Sequence, residues 1–158
     1  MIELLLVRHA DAGDPLTWPG DDADRPLSAK GRRQAARLGA LLSAAGFRPD
    51  ALISSPKLRA RQTADAVGSA LGVGVAIDAR LGGQLDLAIV ERILAEAGDP
   101  LRPMLVGHDP DLSWLVSELS GASVAMKKGA LARVDVAELG GAIGSLRWLV
   151  PPGLLSRR

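Results

Sequence analysis

Short apolar runs alternate along this chain with segments whose apolar residues recur every three or four positions, the pattern of strands followed by helices. Ile2 to Val7 reads as a strand buried on both faces. Asp11 to Arg25, rich in Asp, Gly and Pro, is a loop, and loops of such length are usually functional or disordered. Ser28 then caps a helix with Ala35, Leu38, Leu42 and Ala45 on one face and Arg32, Arg33 and Arg37 on the other, ended by Gly46. Ala51 to Ser54 predicts a second strand. Ser55-Pro56 then serves as N-cap and first-turn proline of a helix carrying Arg59, Thr63 and Val67 on one stripe.

The alternation continues with a strand over 73–77, a helix over 86–97 and a strand over 104–106. Asp109-Pro110 repeats the cap-and-proline device before a helix with Leu112, Leu115, Val116 and Leu119 on its apolar face. Leu131 to Val136 and Ser145 to Val150 close the pattern as two strands. Pro151-Pro152-Gly153 is expected to leave the core, with Arg157 and Arg158 solvated. No repeat or linker interrupts the series, so residues 1–158 are expected to form a single α/β domain.

Composition narrows the classes of function. The chain has 158 residues and 47% hydrophobic content, enough for a substantial core. A formal charge of +1 supplies no global field toward nucleic acid or membrane surfaces, so neither is expected as a partner. The absence of cysteine excludes disulfides, thiolate metal sites and cysteine nucleophiles. The first apolar run is too short to span a bilayer and lacks a signal peptide's flanks, which makes a cytoplasmic location the expectation.

Candidate chemistry begins with the chain's two histidines, His9 and His108, each of which ends an apolar run. Ligands of open α/β sheets bind beyond the carboxyl ends of strands, so these endings can bring both imidazoles to one crevice. Arg8 beside His9, and Arg59 at a helix start, are forks suited to phosphate oxygens. Helix N-termini after residues 55 and 109 would add backbone N–H groups. Phosphoryl transfer needs positive donors and a nucleophile, and His9 as neutral imidazole fits the second role, with His108 among the donors.

Leu4-Leu5-Leu6-Val7-Arg8-His9-Ala10 resembles the signature of the histidine phosphatase superfamily. Ser54-Ser55-Pro56-Lys57-Leu58-Arg59-Ala60-Arg61-Gln62-Thr63 resembles its second motif, and Leu105-Val106-Gly107-His108 its third. Within the superfamily, Arg25-Pro26-Leu27-Ser28 with Gly31, Gly107-His108-Asp109-Pro110 and Lys127-Lys128-Gly129-Ala130-Leu131 are similar to SixA-type phosphohistidine phosphatases. The resemblance implies a three-layer α/β sandwich with a mostly parallel sheet, phosphorylation of His9, and phosphoryl binding by Arg8, Arg59 and His108. It implies no metal and no cofactor. Larger members place a carboxylic acid near the leaving group, whereas Arg80 to Leu85 in this sequence holds no Asp or Glu. That departure favours a mild leaving group such as imidazole, because a positioned general acid contributes roughly 10²–10⁴ in rate.

The remaining candidates carry blander alternatives. Asp11 and Asp86 are the nearest substitutes for the acid, yet each also fits as a loop or cap carboxylate. Arg25 is a candidate substrate-binding residue at the phosphate rim or a solvated loop charge. Lys127 and Lys128 read as a solvated pair or a basic lip for an acidic partner. Trp18, Trp114 and Trp148 read as packing residues, with Trp18 alone in the long loop and near a pocket. The expected function is a phosphatase acting on the phosphohistidine of a signalling or phosphotransfer protein, with a histidine phosphotransfer domain as partner. A small-molecule phosphomonoesterase and a phosphate-binding module without turnover stand as alternatives.

Overall fold

The computed structural model describes residues 1–156; the expectation for Arg157 and Arg158 lies outside them. The first apolar run becomes β1 (Ile2–Arg8), in which Leu4, Leu5, Leu6 and Val7 are wholly buried. Side chains alternate across a strand. Leu4 and Leu6 therefore meet one helical layer and Leu5 and Val7 the other. Each such side chain contributes about 1.5–3 kcal/mol on burial, so the strand that delivers His9 is firmly held.

Leu5 and Val7 pack under α1 (Ala29–Ala44) and α2 (Leu58–Leu71) through Leu38, Leu42, Ala60, Ala64 and Val67. Leu4 and Leu6 pack under α3 (Leu87–Glu96) and α4 (Asp111–Ser120) through Val90, Ile93, Leu112 and Leu115. The result is a three-layer α/β sandwich. Its other strands are β2 (Ala51–Ser54), β3 (Ala76–Ile77), β4 (Pro103–Gly107), β5 (Leu131–Val136) and β6 (Ser145–Val150). The sheet order is β3-β2-β4-β1-β5-β6. The first four strands in sequence run parallel, and β5 and β6 extend the sheet antiparallel from β1.

Several expectations need correction. The strand expected over 73–77 pairs only at Ala76 and Ile77, both exposed, because Val73 and Val75 pack on the core from a loop. Ala45 is an exposed C-cap rather than part of the buried face. The tail does not leave the core: a 3₁₀ turn over Pro152–Leu155 lies against α1, and Leu155 packs on the same cluster as Leu38. Trp148 packs edge-on to Phe47, with its ring centroid 5.0 Å from the Arg133 guanidinium, whereas Trp114 is exposed on α4. No helix of the described residues is long and apolar enough to cross a membrane.

Candidate active site

Strand register builds the crevice. Arg8 of β1 pairs with Gly107 of β4, so the next residue on each chain, His9 and His108, emerges side by side. The His9 N–H donates to the Gly107 carbonyl at 3.0 Å, and the two rings lie 5.2 Å apart. On the far side of β4, β2 delivers Ser55, whose N–H donates to the Val106 carbonyl at 3.0 Å. Three strand ends thus converge on one point.

Hydrogen bonding assigns the tautomer of His9. Its Nδ1 lies 2.7 Å from the Ala10 carbonyl, an acceptor only, so Nδ1 carries the proton and Nε2 keeps its lone pair. Burial, reinforced by the positive charges of Arg59 and Arg8, lowers the His9 pKa from 6.5 to about 4. His108 is lowered to about 3 by burial and by its neighbour His9. Both rings are therefore neutral near pH 7, and His9 presents an unprotonated nitrogen.

The positive groups lie around this pair. Arg8 is anchored by donating from Nη1 to the Met126 carbonyl at 2.8 Å. Arg59, in the first turn of α2, donates from Nη1 to the Asp22 carbonyl at 2.8 Å and from Nη2 to Asp22 Oδ2 at 3.0 Å. The Nε atoms of both arginines are buried without a partner, donors for which a polyanion would be a natural acceptor. The helix α2 lacks a side-chain N-cap, which leaves the positive end of its dipole for an anion. Lys128, half-buried, lies close enough to lower the His9 pKa, and Lys57 acts on His108 in the same sense. The solvated-pair reading thus holds for exposed Lys127 and fails for Lys128.

The other sequence candidates serve the frame. Asp11 accepts from the Ser28 hydroxyl at 2.6 Å, and Asp86 caps α3 by accepting from the Ile89 N–H at 2.7 Å. Arg25 is not a solvated loop charge: it is buried and donates to the Ala12 carbonyl at 2.8 Å and to Asp22 Oδ1 at 3.0 Å. Trp18 lines a depression of about 210 Å³ with Gly13, Thr17 and Arg25, in the rim loop. At the start of that loop, Gly31 of α1 lies so close to the Asp11 carbonyl that a Cβ there would meet it at 1.9 Å.

The local sequence pattern misplaces two residues and misses the roles of two more. Ser55 is not an N-cap, since α2 begins three residues later; its hydroxyl meets His108 Nε2 at 2.7 Å and fixes that ring. Asp109 is likewise not the N-cap of α4; it accepts from the Ser113 N–H at 3.0 Å and hydroxyl at 2.6 Å, and Pro110 takes the cap position. The apolar stripe of α2 includes Thr63 but does not reveal its task. It donates to the Arg59 carbonyl at 2.8 Å and accepts from the Ala10 N–H at 3.1 Å, tying the nucleophile's loop to α2. Asp22, the carboxylate on Arg59, was not singled out at all.

The sequence profile of the histidine phosphatase superfamily, branch 1, matches residues 4–84, which include Arg8, His9 and Arg59. The chain belongs to the histidine phosphatase superfamily. An uncharacterized protein from Picosynechococcus is 37% identical over 118 residues, covering 70% of this chain and 68% of that protein. A probable phosphoglycerate mutase, GpmB, of Klebsiella pneumoniae is 32% identical over 120 residues, covering 70% of this chain and 53% of its own. The match thus spans about half the length of that mutase. The structure of the protein histidine phosphatase SixA complexed with tungstate superposes with a TM-score of 0.85 at 25% identity, covering 98% of this chain and 100% of that one. Members of the superfamily are phosphatases and mutases that use a catalytic histidine, and this chain shares their α/β fold.

Two neutral buried histidines have a consequence for stability. The unfolded chain takes up protons below about pH 6.5, whereas the folded chain resists them down to about pH 4 at His9 and about pH 3 at His108. Stability is therefore full above pH 6.5 and falls as the pH drops toward 4, by about 2 kcal/mol per histidine at pH 5. Depressed carboxylates such as Asp22 and Asp135 add losses only at lower pH. Thermal midpoints at pH 8, 6.5 and 5 should show the fall between the last two, and a midpoint constant to pH 5 would contradict the neutral pair.

Proposed function

We propose that this protein is a metal-independent phosphatase that removes the phosphoryl group from a phosphohistidine on a signalling or phosphotransfer protein, through a covalent intermediate on His9. The Nε2 lone pair of His9 attacks phosphorus in line while the P–N bond of the substrate breaks and its electron pair returns to the departing imidazole. Arg8, Arg59 and His108 hold the equatorial oxygens. The phosphorylated ring keeps its Nδ1 proton on the Ala10 carbonyl, so it bears positive charge and leaves readily when water attacks. It then returns to the tautomer from which it started.

One observation carries the choice of substrate class. Asp11, Asp86 and Asp109 are engaged in structural bonds, and Asp22, the carboxylate bonded to Arg59, is held ionised by Arg25 and Arg59. None of these carboxylates is free to serve an alkoxide, whereas an imidazole needs no such help. The similarity to SixA over nearly the whole chain supports the same reading. The likeness to the probable mutase favours a second one, a small-molecule phosphomonoesterase.

Phosphate release from phosphohistidine-bearing and phosphoserine-bearing proteins, measured side by side with aryl and alkyl phosphates, separates the two. Log kcat/KM is expected to fall steeply with leaving-group pKa, phosphohistidine and activated aryl phosphates being cleaved well. A flat dependence with brisk alkyl phosphate turnover would transfer the assignment to small molecules. No release from any of them would leave a phosphate-binding module.

A further inference from the structure

Just as Asp109 stands 3.6 Å from Arg8 Nη1, Asp22 puts a carboxylate on Arg59 into a pocket for anions. It stands at the start of a 3₁₀ turn (Asp22–Asp24), and both Nη atoms of Arg59 are bonded to it, one to its carbonyl and one to its carboxylate. Its other carboxylate oxygen holds Arg25, which is locked in turn by the Ala12 and Gly13 carbonyls. Its charge also reaches His108, where it favours the protonated ring. A carboxylate so placed offsets part of the positive charge on Arg59 and repels a phosphoryl dianion. For an ester substrate that is a net disadvantage.

The carboxylate is nevertheless preorganised rather than incidental. Two arginines fix its orientation from opposite oxygens, while 53% of the side chain stays open to solvent. An ionised carboxylate offers about four lone-pair sites. The two arginine bonds take one on each oxygen, and the half-exposed carboxylate beside Arg59 keeps the others for a donor. Its neighbour Asp21 is different, since its side chain accepts from the Ala23 N–H and caps the turn.

We propose that Asp22 determines specificity by accepting a hydrogen bond from the N–H of the departing imidazole, so that it selects a phosphorylated nitrogen heterocycle over phosphate esters. The proposal rests on the phosphohistidine reading above. In phosphohistidine one ring nitrogen bears phosphorus and the other can carry a proton. Asp22 favours that protonated, cationic ring. When the His9 Nε2–P bond forms and the substrate P–N bond breaks, the electron pair goes to the released nitrogen. The proton stays on the other nitrogen, against Asp22, and neutral imidazole departs. An ester leaving group has no such N–H to offer.

The test compares kcat/KM for a peptide carrying 3-phosphohistidine with kcat/KM for p-nitrophenyl phosphate. In Asp22→Asn the first is expected to fall and the second to rise as the repelling charge is removed, so their ratio drops about tenfold or more, the scale of a lost hydrogen bond to a charged group. Asp22→Glu keeps the charge and should recover most of the ratio. Should the asparagine variant fail to fold, Asp22→Ser removes the charge with a smaller side chain and must lower the ratio in the same way. Equal losses on both substrates would overturn the proposal and leave Asp22 as a strut for Arg59, as would an unchanged ratio. A wild-type protein inert on the phosphohistidine peptide but active on p-nitrophenyl phosphate would instead overturn the phosphohistidine reading itself.

Discussion

Replacing His9 with alanine is expected to reduce phosphate release to the uncatalysed background while the fold persists. The variant removes the attacking nitrogen itself, so no remaining group can form the intermediate. His9 follows a strand whose packing comes from Leu4 to Val7, and among the described residues its side chain bonds only to the adjacent Ala10 carbonyl. Brief reaction with labelled substrate, quenched at alkaline pH where phosphohistidine survives, should label the wild-type protein at His9 and leave the variant unlabelled. Turnover retained by His9→Ala would exclude the covalent route. Because the variant also removes one of two neutral buried imidazoles, its thermal midpoint should lose less on acidification to pH 5 than that of the wild type.

Arg59→Ala and His108→Ala are each expected to lower kcat/KM by about 10²-fold or more, since removing one preorganised donor at a developing charge typically costs roughly 2.7–4 kcal/mol. The two should differ in their side effects. Arg59→Ala also releases Asp22 and with it the short turn of the rim, so KM should rise along with the fall in kcat. His108→Ala removes the side-chain partner of the buried Ser55 hydroxyl and leaves it the Lys57 N–H at 3.2 Å, at a stability cost of about 1 kcal/mol. Full activity in either variant would mean that the phosphoryl group binds elsewhere.

Features decided by neighbours in sequence are legible in the chain itself. The apolar run before His9 announced a strand buried on both faces, and the apolar spacing after Ser28 and Asp86 announced α1 and α3, because solvent exclusion acts on the local pattern. Arg8, His9, Arg59 and His108 stood out because three motifs carried them to strand and helix ends. Features decided at long range were not legible. Ser55 before Pro56 has every local mark of an N-cap, yet its hydroxyl is claimed by a histidine 53 residues away. Asp22 is one of several aspartates in the loop, and only the arrival of Arg59, 37 residues on, distinguishes it. The tail is illegible for the same reason, since its prolines say nothing of the apolar surface that α1 offers to Leu155.

Gly31 presses against the Asp11 backbone, main chain to main chain, so no side chain exists there whose exchange could loosen the join between α1 and the segment after His9. At the other end of the rim, Arg25 fastens the chain back to the Ala12 and Gly13 carbonyls. The stretch from 14 to 24 is thereby a cassette suspended between two fixed posts. Through Asp22 that cassette also holds Arg59, so a change within it is felt at the arginine, while His9 keeps its place at the end of β1.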